Sequence, residues 1–211
     1  MNFENLSEVV VFDVETTGLS PKNDRIVSIA LLKVDLQKFE LDNGQLKGSY
    51  EGLTFVFNPQ IPIPRAATEI HGITDKDVKN EPEFADKARE IREFIGSLPI
   101  IAHNVKVDSA FLDAELIRTN VTPLRNNIKL CTMFETHARA CEIHGRDVKW
   151  PKLTEAGVYC GVTHSQSQTH DALEDAIGAL TLVLGLRSTE IKNGKVTTKR
   201  RRRGLMRWLG L

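Results

Sequence analysis

Asp13 and Glu15 stand two residues apart at the polar-going end of the run VVVFDVETTGLS, residues 9–20. In a strand, period two puts Val11, Asp13 and Glu15 on one face and Val10, Phe12 and Val14 on the other. Two carboxylates on one face can point at the same cation, which offsets the cost of holding like charges where water is restricted. Oxygen ligands suit a hard divalent ion such as Mg²⁺ or Mn²⁺. Alone, a D-x-E pair is better read as a strand end with two solvated acids.

Two further segments supply chemistry. AHNVKVDSAFLDAEL, from Ala102, carries Asp108 just after a short apolar run, where side chains at the carboxyl end of a sheet converge on a crevice. Read alone, such an aspartate is also a helix cap or dipole partner. In THDALEDA, from Thr169, Asp171 as N-cap and Glu174 at N3 form a capping box. His170 then falls at N′ and Asp175 at N4, the two positions that meet in a hydrophobic staple, here an imidazole and an acid. The plainer alternative is a histidine flanking a helix with Asp175 on its exposed face.

The elements that must position these groups are legible. Residues 9–15 predict a strand ended by Thr16-Thr17-Gly18. Ile26 to Val34 and Leu53 to Phe57 predict more strands, with the Asn-Gly turn signal of DNGQ (residues 42–45) between them, giving an antiparallel, strand-rich first third. Phe84, Ala88, Ile91 and Ile95 form the stripe of an amphipathic helix stopped by Gly96 and Pro99. LPIIAHN (98–104) predicts a short buried strand, followed by a helix with Phe111, Leu112, Glu115 and Leu116 at helical spacing and Asp108 near its start. A last helix runs from about Ala172 to Leu186.

With 211 residues and 41% hydrophobic content, the chain is long enough for one α/β domain and a short appendage. The acidic start lacks a secretory signal pattern, and the apolar stretch AIGALTLVLGL is far short of the ~20 residues of a membrane helix. The expectation is a soluble, cytoplasmic protein. Cys131, Cys141 and Cys160 are odd in number without CxxC spacing, which argues against a disulfide framework or a zinc site. Zero net charge hides an asymmetry: eight basic residues and no acid lie from Lys192 onward, leaving 20 basic against 28 acidic residues before it.

In this order, D-x-E, H-N-x-x-x-D and H-D-A-x-x-D closely resemble the DEDDh, or DnaQ-like, 3′–5′ exonuclease family, that of the proofreading epsilon subunit of bacterial DNA polymerase III. ATEIHGITDKDV (67–78), KLCTMFETHA and KWPKLTEAGVYCGV add to the resemblance, which covers roughly residues 8–187. It implies a ribonuclease-H-like α/β fold, a five-stranded mixed sheet flanked by helices; with the charge shift, the expectation is an exonuclease domain at 1–188 and a flexible basic tail at 189–211. It implies that Asp13, Glu15, Asp108 and Asp175 bind two divalent cations, Mg²⁺ or Mn²⁺, that His170 is the general base, and that Glu15 also meets the terminal 3′-OH. In the two-metal scheme, ions ~3.5–4 Å apart clamp the scissile phosphate. An imidazole titrates near ~6.5 in solution and can take the attacking water's proton. Thr16, Thr17 and Gly18, with Ile70, His71 and Val107, match positions that contact the terminal nucleotides in relatives, Gly18 because no Cβ obstructs a close approach. His71 equally suits a structural turn. Asn104 is read as a brace for the second motif's turn and Trp150 as a buried packing residue. His103, His137, His144 and His164 have no motif and enter no site.

The expected activity is hydrolysis of nucleic acid, DNA first, from the 3′ end to nucleoside 5′-monophosphates, in proofreading or repair, with a DNA polymerase or other protein as partner. An exoribonuclease acting on RNA ends or short oligonucleotides shares the same five residues, and an inactive nucleic-acid-binding or adaptor module is the alternative of another class. The basic tail, ending in Leu205, Met206, Trp208, Leu209 and Leu211, suits nucleic acid, a partner groove or an anionic membrane surface.

Overall fold

The protein is described from a computed structural model covering residues 3–42, 45–163 and 170–199. Strand β1 (Glu8–Thr16) is the apolar run of the first motif, and β2 (Ile26–Asp35) pairs with it antiparallel. Between β2 and β5 (Glu51–Val56), the chain makes a separate two-stranded ribbon, β3 (Glu40–Asp42) and β4 (Gln45–Lys47). Asn43 and Gly44, the expected turn, lie outside the described residues, but Asp42 pairs with Gln45 across them.

Helices α1 (Arg65–His71), α2 (Asp75–Val78) and α3 (Phe84–Ile95) lead to the short strand β6 (Ile100–Ala102). Next come α4 (Val105–Arg118), β7 (Lys129–Cys131), α5 (Thr132–His144), α6 (Leu153–Ala156) and the long α7 (Ala172–Ser188). The sheet order is β5-β2-β1-β6-β7, antiparallel on the β2 side of β1 and parallel on the β6 side. This is the five-stranded mixed sheet flanked by helices of the ribonuclease-H-like exonuclease fold.

Alternation along β1 divides the core. Val9 and Val11 pack with Ala176, Ala179, Leu180 and Val183 of α7 on one face. Val10, Phe12 and Val14 pack with Phe84, Ile91 and Ile95 of α3 and Phe111 and Leu112 of α4 on the other. Burying a side chain of this size stabilises by about 1.5–3 kcal/mol. Asp13 and Glu15 continue the α7 face, so the period that buries the valines also aims the acids. α7 is buried almost all round, and at Gly185 a Cβ would lie 2.7 Å from the Cys160 carbonyl. Only glycine admits the 160–162 segment that closely.

The expected boundary at residue 188 falls inside ordered structure. β8 (Thr189–Lys192) and β9 (Lys195–Thr198) form an antiparallel hairpin, and Arg139 of α5 donates to the Thr189 hydroxyl and carbonyl at 2.6 and 2.8 Å. The charge count that marked a flexible tail overlooked Thr, Ile and Val alternating around an Asn-Gly turn. The Arg200–Arg203 run and the apolar terminus lie outside the described residues.

Candidate functional site

The carboxyl end of β1 delivers the first two acids. The β1–β2 register shifts between Glu15 and Thr16, and the chain turns out of the sheet there. The turn is closed by the Thr17 N–H on the Arg25 carbonyl (2.9 Å), the Arg25 N–H on the Thr17 hydroxyl (3.1 Å) and the Thr16 hydroxyl on the Gly18 carbonyl (2.7 Å). Gly18 has its own local reason: a Cβ there would sit 2.5 Å from the Asp24 carboxylate, which accepts from the Ser20 N–H. The missing Cβ is thus also required within the loop itself.

α4 begins directly beyond β6, parallel neighbour of β1, and its first turn brings in Asp108. Asn104 is the N-cap, but its carbonyl, not its side chain, braces the turn by accepting from the Val107 and Asp108 N–H groups. The start of α7 supplies the last pair. Asp171 caps the helix, accepting from the Leu173 and Glu174 N–H groups at 2.9 and 3.0 Å. His170 Nδ1 lies 3.0 Å from Asp175 Oδ2, the N′–N4 contact with polar partners in place of a staple.

Glu15, Asp108 and Asp175 are buried and Asp13 is half-buried. Burial, then Asp108, Glu15 and Asp175, hold the Asp13 carboxyl well above the ordinary carboxylate range. Burial, then Asp175 and Asp108, push Glu15 up to about 8. Asp108 rises to about 7 through burial foremost, although backbone N–H groups, its own first and those of Val14 and Asn104 after, oppose the rise. Among the described residues, no lysine or arginine pairs with Asp13, Glu15 or Asp108. Four inward acids that destabilise one another when ionised are the donor set a hard divalent cation takes. Ligand atoms of Glu15, His170 and Asp175 all lie within 4.8 Å of one another. The residues therefore fit such an ion.

The other expected residues gather around this cluster. The Ile70 carbonyl accepts from the His170 N–H at 3.0 Å, and Ile70 and Val107 are exposed apolar side chains. His71 ends α1, buried, with Nδ1 accepting from the Ile73 N–H at 3.1 Å. Its protonated Nε2 lies against the Thr16 backbone without a well-formed hydrogen bond among the described residues. Burial foremost lowers its basicity. His71 therefore has the structural turn role and also sits beside the acid-bearing loop.

Trp150 corrects an expectation: it is 44% exposed, stacked on His137 and set edge-on to Phe134. His103 was passed over but ties two segments together, its ring nitrogens 3.0 Å from the Thr132 hydroxyl and 3.1 Å from the Pro151 carbonyl. Glu115, expected in an apolar stripe, is buried because Arg25 pairs with it at 3.0 Å and the Ile26 N–H donates to it at 3.2 Å. His164 lies outside the described residues.

Comparison with known proteins places the chain in a family. The exonuclease family model (RNase T type) matches residues 10–183. The chain belongs to this exonuclease family. A DNA polymerase III subunit epsilon-like protein of Rhodobacter capsulatus is 32% identical over 208 residues, 94% of this chain and 27% of that protein. The PolC-type DNA polymerase III of Clostridium perfringens is 31% identical over 172 residues, 80% of this chain and 10% of that protein. The chain thus spans about a quarter or less of these relatives' lengths. A zinc-bound complex of Escherichia coli exonuclease I with single-stranded DNA superimposes with a TM-score of 0.64 at 21% identity, over 87% of this chain and 41% of that one. No helix among the described residues is long and apolar enough to cross a membrane.

Proposed function

We propose that this chain is a divalent-metal-dependent 3′–5′ exonuclease that shortens DNA from its 3′ end to nucleoside 5′-monophosphates. The observation that carries the reading is the convergence of Asp13, Glu15, Asp108 and Asp175 with His170 at the carboxyl end of β1. Asp13, Glu15 and Asp175 would hold a pair of Mg²⁺ or Mn²⁺ ions, with Asp108 completing the second position. Bound there, such ions would supply Lewis-acid polarisation of the scissile phosphate and of a water, and would offset charge developing on the leaving 3′ oxygen.

The chain's own groups do the rest. His170 donates from Nδ1 to Asp175, which fixes the tautomer and leaves Nε2 as the acceptor for the water's proton. Glu15 faces the terminal 3′-OH. The Thr16–Gly18 backbone, Ile70, His71 and Val107 seat the last nucleotides, the two exposed aliphatic side chains offering apolar contact to bases. DNA is favoured over RNA because the relatives are named as DNA polymerase components and the structural neighbour holds single-stranded DNA. Cytoplasmic location and a polymerase partner belong to the same reading.

The test is a single assay: purified protein with Mg²⁺ or Mn²⁺ on end-labelled single- and double-stranded DNA and RNA, with an EDTA control. Metal-dependent 3′ shortening of DNA is expected, abolished in Asp13→Ala and Asp175→Ala with the fold retained by circular dichroism. Undiminished turnover in either variant overturns the assignment, and preference for RNA transfers the activity to an exoribonuclease.

A further inference from the structure

Residues 17–25 leave β1 directly after Glu15 and Thr16 and return to the sheet at Ile26, the start of β2. Thr17 and Arg25 close the base of this loop, and α4 holds its outer side. Arg118 Nη2 donates to the Pro21 carbonyl at 2.6 Å and to the Lys22 carbonyl at 2.8 Å. Arg25 Nη1 donates to Glu115 Oε2 at 3.0 Å, and the Ile26 N–H donates to Glu115 Oε1 at 3.2 Å. Arg118 Nη1 lies 3.3 Å from the same Oε1. The loop is thus fixed to the last turns of α4 at its tip and at its base.

Exposed ion pairs hold little in place, because water screens them and both side chains stay mobile. Glu115 is different: its side chain is only 3% exposed and is shared between two arginines and a backbone N–H. A buried carboxylate persists only where its partners satisfy it, so Arg25 and Arg118 are drawn to one point. Arg118 in turn carries the carbonyls of the loop tip.

The same helix supplies Asp108, seven residues before Glu115. Seven residues are close to two helical turns, so both carboxylates leave one face of α4, about 10 Å apart along its axis. One rigid element therefore sets both an acid of the cluster and the loop whose first residues the proposed function assigns to the terminal nucleotide. We propose that Arg118 and Glu115 are positioning residues for that nucleotide's subsite: without touching substrate, they hold residues 16–18, through the loop, in register with Asp108. The inference rests on the exonuclease reading and says where its subsite gets its rigidity. A loop fixed in advance binds without an ordering cost, whereas a released loop must be ordered by each nucleotide that arrives.

Arg118→Ala is the main variant and Arg187→Ala the control. Arg187 makes the same kind of bond, donating to the Phe3 and Leu6 carbonyls at 2.8 Å, at the opposite end of α7 from Asp175. In Arg118→Ala, amide hydrogen exchange across residues 17–25, followed by mass spectrometry without DNA, should quicken by about tenfold or more. KM for single-stranded DNA and the inhibition constant of dTMP, which fills only the terminal position, should both rise about tenfold, roughly the cost of ordering one residue. Saturated turnover and Mn²⁺ affinity should stay near their wild-type values. Arg118→Lys, whose ammonium can reach both carbonyls, should recover most of the KM. Arg187→Ala should lower the melting temperature and leave the loop's exchange and KM unchanged. Unchanged exchange in Arg118→Ala, or an equal rise of KM in Arg187→Ala, overturns the proposal. Should Arg118→Ala fail to fold, Glu115→Gln keeps an acceptor for the Ile26 N–H but loses the ion pairs, and the same shifts are expected of it. A wild-type protein without nuclease activity defeats the exonuclease reading instead, while the exchange comparison still decides whether α4 fixes the loop.

Discussion

His170 is more than half exposed at its side chain, yet its Nδ1 is fixed on Asp175 Oδ2 at 3.0 Å. A base held by one nitrogen and open at the other suits proton acceptance from a water beside a phosphate. His170→Ala should lower turnover by about 10²–10⁴-fold while leaving the Mn²⁺ affinity near its wild-type value. Single-turnover kinetics and isothermal titration measure the two separately, and a comparable loss of Mn²⁺ affinity would make His170 a ligand. The residue reading of HDALED anticipated this contact, since the capping geometry fixes N′ against N4 whatever the side chains are.

At the scale of elements, the ends of β1, α4 and α7 share one electrostatic cost. Glu15 and Asp108 are held at about 8 and about 7, against ordinary values of 4.5 and 3.8. The native state therefore keeps protons that the unfolded chain has released. Stability from this source is complete below the ordinary values and is lost as pH rises through the folded ones. In EDTA, the melting temperature should fall as pH rises from 4.5 toward 8, and saturating Mg²⁺ should flatten that fall because it favours the ionised carboxylates. Glu15→Gln should likewise resist the fall in EDTA. A scanning-fluorimetry profile with the same slope with and without Mg²⁺ would count against these elements meeting at a cation site.

For the whole molecule, the proposed function raises the question of how a chain with 28 acidic residues would approach a polyanion. The hairpin β8–β9 takes Lys192, Lys195 and Lys199 into the folded body or its edge, and Lys199 pairs with Glu4. The five arginines Arg200–Arg203 and Arg207 remain as the concentrated basic segment. We propose that they bind phosphates without sequence preference. Deleting residues 200–211 should weaken single-stranded DNA binding and reduce the slope of log affinity against log salt by up to about 3–4, at about 0.7 per phosphate contact. Fluorescence anisotropy across a salt series measures it, and an unchanged slope assigns the segment elsewhere.

The sequence alone determined what depends on local periodicity and chemistry: the buried β1 run, the amphipathic α3, the cap of α7, and the acid and histidine types of the proposed centre. Short-range geometry sets these, so a one-dimensional pattern carries them. Only tertiary structure decided the rest. Glu115 looks like a stripe residue until Arg25, far away in sequence, covers it. Trp150 looks like core until α5 and the turn after it leave its ring half in solvent. Residues 189–198 looked like tail until their alternation found a pairing partner and Arg139 to anchor it. Cys141 lacks a CxxC neighbour, but a helical turn and a left-handed glycine bring His137 and Asp147 to its side, because side-chain groups form in space rather than along the chain.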